Sequence, residues 1–258
     1  MSPDNVFIAR STRTGAVVAK IAKTQNSTTG KFLKSLIAAA ALSTCAMAQA
    51  DVTLNFEGDA PGIFFAGQQT VIDDSYWIET YGGTLTTDLA GTIIDGSDRF
   101  ACDSGIACPV NNKSKYLGLL DDSYFYFGLA DDSKFKLTSL QASFIGSGQT
   151  YPTTSGILQL QGFNADGSTV GGTLQLSLSG PTNGSFNFAN YNTGAFGSQL
   201  VSYVRVLGYA CDATGSCNRS TNLANFAIDN IVTVPEPTTL ALLGLGLAGF
   251  GVSRRRRA

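Results

Sequence analysis

Across residues 52–232 apolar and polar side chains alternate in short runs. The pattern is clearest at residues 52–56 (Val-Thr-Leu-Asn-Phe), 124–129 (Tyr-Phe-Tyr-Phe-Gly-Leu), 135–140, 157–163, 174–178, 185–188, 201–207 and 226–232. A two-residue period puts successive side chains on opposite faces of a strand, so each run reads as a half-buried strand. Between the runs lie turn formers: Asn164-Ala165-Asp166-Gly167, residues 179–184 (Ser-Gly-Pro-Thr-Asn-Gly), and Gly146-Ser147-Gly148. No sustained stripe at helical spacing interrupts them. The expected class is all-β, and many short strands with Gly-rich turns fit a two-sheet antiparallel β-sandwich (jelly roll) better than a small closed barrel. A parallel β-solenoid is the alternative, but no fixed internal period supports it. Residues 95–114 carry the weakest strand pattern and read as a long loop.

Two apolar runs at the ends break the alternation. Residues 36–47 follow Lys31 and Lys34 and lead into Ala48-Gln49-Ala50, the small-x-small pattern that signal peptidase reads, which makes Asp51 the expected mature N-terminus. Residues 1–30 form a long extension before that signal, as a mis-set start site would produce. Leu42-Ser43-Thr44-Cys45 is a faint lipobox, with Thr44 a poor residue before a lipidated cysteine. The second run, residues 240–252, would make a helix of about 20 Å at roughly 1.5 Å per residue, against a hydrocarbon core of about 30 Å. Gly244, Gly246, Gly249 and Gly251 weaken it as a helix, and Arg254, Arg255, Arg256 and Arg257 cannot follow it into lipid. The segment reads as a short transmembrane sorting helix that pauses in a membrane; an ordinary anchor is the alternative. The expected division is 1–50 extension and signal peptide, 51–233 ectodomain, and 234–258 sorting signal.

Charge sharpens this division. The ends hold ten of the 17 basic residues and two of the 19 acidic ones, so residues 51–235 carry seven basic against 17 acidic, net −10. Such a surface repels phosphate backbones, which argues against nucleic acid as a partner, and is compatible with divalent cations. The chain has no histidine, which excludes Ser-His-Asp and Cys-His catalysis and histidine-based metal sites. Two cysteine pairs, Cys102 with Cys108 and Cys211 with Cys217, each enclose five residues. In an exported chain these read as two local disulfides that staple loops; cross-linking between the pairs and a thiolate metal site are the alternatives.

Pro235-Glu236-Pro237, the short apolar run and the arginine tail, in that order, resemble the PEP-CTERM sorting signal of exopolysaccharide-producing bacteria. The resemblance implies cutting near the tripeptide by an exosortase-type membrane protease, and release or transfer to the cell surface or extracellular matrix. The region 124–258 also resembles the jelly-roll ectodomains common among PEP-CTERM proteins. It shares a Phe-x-Leu-x-Ser-Leu strand at 135–140, Gly162-Phe163, an Asp166-Gly167 turn, and Phe-x-Ile-Asp-Asn-Ile at 226–231. In the sandwich carbohydrate-binding modules to which this arrangement is similar, an acid near the first strand and an aspartate on the last hold a structural Ca²⁺. Carried over, these are Glu57 and Asp229; otherwise Asp229 accepts backbone N–H groups and Glu57 is solvated.

The remaining chemistry lies in acids and rings. The doublets Asp73-Asp74, Asp121-Asp122 and Asp131-Asp132 could supply a glycosidase pair or extra calcium ligands, but neighbours on a strand diverge and paired aspartates commonly form turns. Trp77, the only tryptophan, stands with Tyr76 and Tyr81 near Asp73-Asp74 and is either core or a platform on which a sugar ring stacks, and the alternation at 124–127 sends either Tyr124 and Tyr126 or the two phenylalanines outward. The reading is a non-enzymatic, exported component of an exopolysaccharide or biofilm matrix. The alternative is a secreted polysaccharide hydrolase working with carboxylates alone, Glu57 or Glu79 being its best acids.

Overall fold

The computed structural model describes residues 50–236, apart from 59–61, 84–88, 99, 103–104, 148 and 220. Ala48, the apolar runs at 36–47 and 240–252, Pro237 and the arginine tail lie outside the described residues. Among the described residues, fourteen strands and one 3-10 turn (Phe196–Ser198) make up the regular structure: β1 Val52–Leu54, β2 Ile63–Phe65, β3 Gln68–Ile72, β4 Tyr76–Tyr81, β5 Leu89–Asp95, β6 Lys115–Leu119, β7 Tyr124–Leu129, β8 Phe135–Phe144, β9 Thr154–Phe163, β10 Thr169–Ser179, β11 Ala189–Asn192, β12 Tyr203–Cys211, β13 Cys217–Asn218 and β14 Phe226–Pro235. They form two antiparallel sheets. The first runs β11-β8-β14-β6-β5-β2 with β1 beside β14; the second runs β10-β9-β12-β7-β4-β3 with β13 beside β12. Every strand pairing is antiparallel, which removes the solenoid.

The alternation explains the layers. On β7, Phe125 and Phe127 turn inward and are fully buried while Tyr124 and Tyr126 turn outward; on β12, Val204 and Val206 turn inward while Tyr203 and Arg205 turn outward. Against these the first sheet sets Leu54, Phe135, Leu137, Phe144, Phe226 and Ile228 in one continuous apolar core. Strand β14 pairs with β8 along one side, and on the other with β6 at residues 226–228 and β1 at 231–233. The changeover is a bulge at Asn230, whose φ of 47° is one that asparagine tolerates better than most residues.

Two expectations change in detail. Residues 185–188 are not a strand: Ser185 folds back on Thr182, Phe186 fills the core and Phe188 packs edge-on against Tyr116, so pairing with β8 begins only at Ala189. The first strand ends at Leu54, because Phe56 takes a φ of 59° to swing its ring into the core.

The region 95–114 is a loop stapled by Cys102–Cys108, with one short bridge between Ala107 and Gly146. It lies over the outer face of the first sheet, where Ile94, Tyr116, Ile145 and Ala227 form a second small apolar cluster flanked by both cysteines. Cys211 and Cys217 are bonded across the β12–β13 hairpin.

Candidate functional site

Two of the acidic doublets are hairpin turns. Asp73 and Asp74 (φ 53° and 54°) join β3 to β4, and Asp121 and Asp122 (φ 56° and 61°) join β6 to β7, each pair closed by a backbone hydrogen bond. Positive φ at both central residues is what a tight two-residue hairpin requires, and aspartate tolerates it. Asp131 and Asp132 turn β7 into β8; the Ser133 hydroxyl, and then the Ser133 N–H that donates to Asp131 at 3.0 Å, hold the Asp131 carboxyl below the usual value. Asp73, Asp74, Asp131 and Asp132 are exposed, whereas Asp122 is buried. Its carboxylate accepts the N–H groups of Thr221, Asn222 and Ala224 at 2.8, 2.8 and 2.9 Å, pinning the loop before β14.

Glu57 and Asp229 come to the two flanks of one short segment, residues 112–115. Glu57 accepts the Lys115 N–H at 2.7 Å. Asp229, buried beside the β14 bulge, accepts Asn112 Nδ2 at 2.7 Å, Ser114 Oγ at 2.9 Å and the Asn230 N–H at 2.7 Å. Burial pushes its carboxyl above the ordinary value, these bonds pull it partly back, and the charge of Glu57 adds to the rise. Glu57 and Glu79 are not brought together, since Glu79 stands on the outward side of the second sheet.

That outward side is the open sheet face, and it is aromatic. Pairing aligns it in rows. Trp77, Gly128, Tyr203 and Phe163 form the first, Glu79, Tyr126, Arg205 and Gln161 the second, and Tyr81, Tyr124, Leu207 and Gln159 the third. The rings cross-brace: Phe163 and Tyr203 stack at 5.1 Å, Tyr81 and Tyr124 stack at 5.2 Å, and Tyr126 meets Tyr81, Phe163 and Tyr203 edge-on at 5.6, 6.1 and 5.9 Å. Gly128 has no side chain because the Trp77 indole occupies that space; an added Cβ would meet the ring at 2.7 Å. Arg205 lies over the Phe163 ring at 5.7 Å and Arg219 over the Tyr124 ring at 5.2 Å. Tyr81 donates its hydroxyl to Glu79 at 2.6 Å; that bond, with burial and the Glu79 charge, pushes its pKa up to about 12. Four strands about 4.8 Å apart and four residues of strand length give a patch of roughly 14 by 13 Å.

Trp77, Tyr81, Tyr124 and Tyr126 were legible from sequence; Phe163, Tyr203, Arg205 and Arg219 were not singled out. The signal existed in the run Tyr203-Val-Arg205-Val-Leu207-Gly-Tyr209, where aromatic and charged residues occupy one parity, and in Gln159-Leu-Gln161-Gly-Phe163. Single-strand patterns do not reveal that these parities line up on neighbouring strands.

Residues 233–257 match the PEP-CTERM protein-sorting motif. The motif marks an exported protein, held at the membrane by its C-terminus before sorting. Among solved structures, the chain is similar to a DUF4465 family protein from Bacteroides caccae (TM-score 0.46, 11% identity, covering 72% of this chain and 100% of that one). It is also similar to TmCBM61 in complex with β-1,4-galactotriose (TM-score 0.29, 10% identity, 62% and 88%), and to a Family 16 Carbohydrate Binding Module-2 (TM-score 0.26, 16% identity, 56% and 85%). No curated protein matches the sequence.

Proposed function

We propose that this chain is an exosortase-processed protein of the cell surface or extracellular matrix that binds matrix polysaccharide on the aromatic face of the second sheet, without catalysis. The aromatic face carries the reading. Six rings on four adjacent strands are left half-exposed on an exported domain, and a contiguous apolar patch of that kind marks a binding surface. A sugar's apolar face stacks on such rings, while Gln159, Glu79 and Arg205 between them offer polar partners to its hydroxyls. Hydrolysis needs two carboxylates about 5 to 10 Å apart, and the placement of Glu57 after β1, beside the first sheet, and of Glu79 on the outward face of the second favours binding instead. Purified matrix polysaccharide in a native gel should retard the domain. Trp77→Ala should lose most of that retardation while melting normally, and reducing ends should not accumulate on long incubation. A wild-type domain that runs freely through the polysaccharide would sink the reading.

Maturation follows the ends of the chain: signal peptidase acts after Ala50, and the exosortase cuts near Pro235-Glu236-Pro237. Intact mass of protein recovered from the cell surface and medium should correspond to Asp51 through about Pro235 to Pro237. A mass that includes the arginine tail would make the segment a retained anchor.

The second proposal is a structural Ca²⁺ held by Glu57 and Asp229. The oxygen donors fit in type: two carboxylates flank residues 112–115, where the Asn112 amide oxygen also lies, and all are hard ligands. Asp229 is buried with only uncharged hydrogen-bond donors, so a cation there would relieve an uncompensated charge. The ion would tie β1, β6 and β14 together. Chelator should lower the melting temperature by several degrees; equal melting with and without it would leave the two acids without a metal.

A further inference from the structure

We infer that the polysaccharide bound on the second sheet is acidic, its carboxylates being received by Arg205 and Arg219; this rests on the polysaccharide-binding reading above. The domain is poor in positive charge, with seven basic residues against 17 acidic between 51 and 235. Two of its three arginines are nonetheless set into the aromatic platform. Among the described residues neither pairs with a carboxylate. Arg219 Nη2 donates to the Asp122 carbonyl at 2.9 Å, and the Nε groups of both Arg205 and Arg219 are buried without a hydrogen-bond partner among the described residues.

Both side chains are partly exposed, and since each Nε is enclosed by the protein, an outside partner would meet the remaining guanidinium N–H groups; two such cations on one face without a carboxylate of their own among the described residues leave charge for a ligand to pair. The groups around them leave that partner's charge defined. Arg205 lies between Tyr126 on β7 and Gln161 on β9, with the Phe163 ring beneath it. Glu79, across Tyr126, is the nearby acid of the second row, and its carboxylate is already engaged by the Tyr81 hydroxyl. Both guanidinium groups stand over rings, which restricts them before any ligand arrives. A guanidinium cation matches a carboxylate in charge, whereas neutral sugar hydroxyls need no fixed cation. The net charge of −10 also repels a polyanion everywhere else, so two arginines on the platform confine an acidic chain to the rings that stack its sugars.

The test uses the matrix polysaccharide extracted from the producing cells, before and after chemical reduction of its carboxylates to alcohols, with the folded domain as the partner. The expected result is that reduction weakens binding by about tenfold or more, and that Arg205→Gln produces the same loss on the native polymer but no further loss on the reduced one. Arg205→Lys should recover part of it, and binding to the native polymer should fall steeply as ionic strength rises. Thermal melting of each variant separates loss of the site from loss of fold, and Trp77→Ala should weaken binding to both polymers. Equal binding of native and reduced polymer overturns the acidic assignment while leaving polysaccharide binding intact. Failure to bind either polymer overturns both.

Discussion

Asp122 offers the sharpest test of how this fold is held, because its neighbour in the same turn should behave oppositely. Its carboxylate is 1% exposed and receives three backbone N–H groups from the loop that leads into β14. Hydrogen bonds to a charged acceptor contribute about 1.5–3 kcal/mol each, and donors left unmet in a buried place cost about as much. Partial access of water to the released loop reduces the sum, so Asp122→Ala should cost about 3–5 kcal/mol, a large share of a typical domain's stability. At about 2–4 °C per kcal/mol for a domain of this size, the melting temperature should fall by roughly 10 °C. Asp121 has the reverse status. Burial, and then the Asp122 charge, raise its carboxyl above the ordinary 3.8. A raised native-state value means that this acid supports the fold fully only below about 3.8 and ceases to as pH rises through the shifted value. At neutral pH Asp121→Asn, which keeps the turn conformation, should leave the melting temperature unchanged or slightly higher. Calorimetry of the two variants at neutral pH decides it: an Asp122→Ala shift below about 3 °C, or an Asp121→Asn variant destabilised as much, would refute the reasoning.

Gly128→Ala should cost only about 1 kcal/mol, since the half-exposed indole can lift away from the new methyl. Its tryptophan fluorescence should nonetheless shift toward that of a solvated ring, and retention by polysaccharide should drop; an unshifted spectrum would mean that the indole does not lie on Gly128. Replacing Cys102 and Cys108 by serine removes a staple across six positions, worth about 2 kcal/mol by loop closure. The loop should then lift from Tyr116 and Ala227, and increased binding of an apolar dye would report it, whereas unchanged dye binding and melting would show that packing alone keeps the loop in place. Tyr81, pushed up to about 12 chiefly by its bond to Glu79, should titrate nearer 10 in Glu79→Gln, as read from the difference in tyrosinate absorbance against Tyr81→Phe. No change would place the bond elsewhere.

The all-β class was legible because alternation is a local property, and it located β7, β8, β9 and β12 within a few residues. It failed where alternation is masked. Strand β6 is buried on both faces under the stapled loop, and β4 carries aromatics on both faces with Glu79 as its one charged residue, so neither shows a clean apolar–polar alternation. The aspartate pairs were legible as turns, but the burial of Asp122 was not, because it depends on a loop about 100 residues further along. The juxtaposition of Glu57 and Asp229 came only from resemblance. Nothing local in either segment specifies that β1 and β6 abut β14 on either side of its bulge.

The last strand ties the platform to the sorting motif. Pro235 still pairs with Phe135, and the Glu236 N–H donates to the Lys134 carbonyl at 2.7 Å, so the sandwich passes into the motif without an intervening linker. Phe135 also bridges Val201, two residues before Tyr203, which places the Trp77, Tyr203 and Phe163 row toward the motif end of the sandwich. The Tyr81 and Tyr124 row lies at the opposite end, beside the Asp121-Asp122 turn. The aromatic patch therefore reaches from the motif end of the second sheet to the end that carries the Asp121-Asp122 turn.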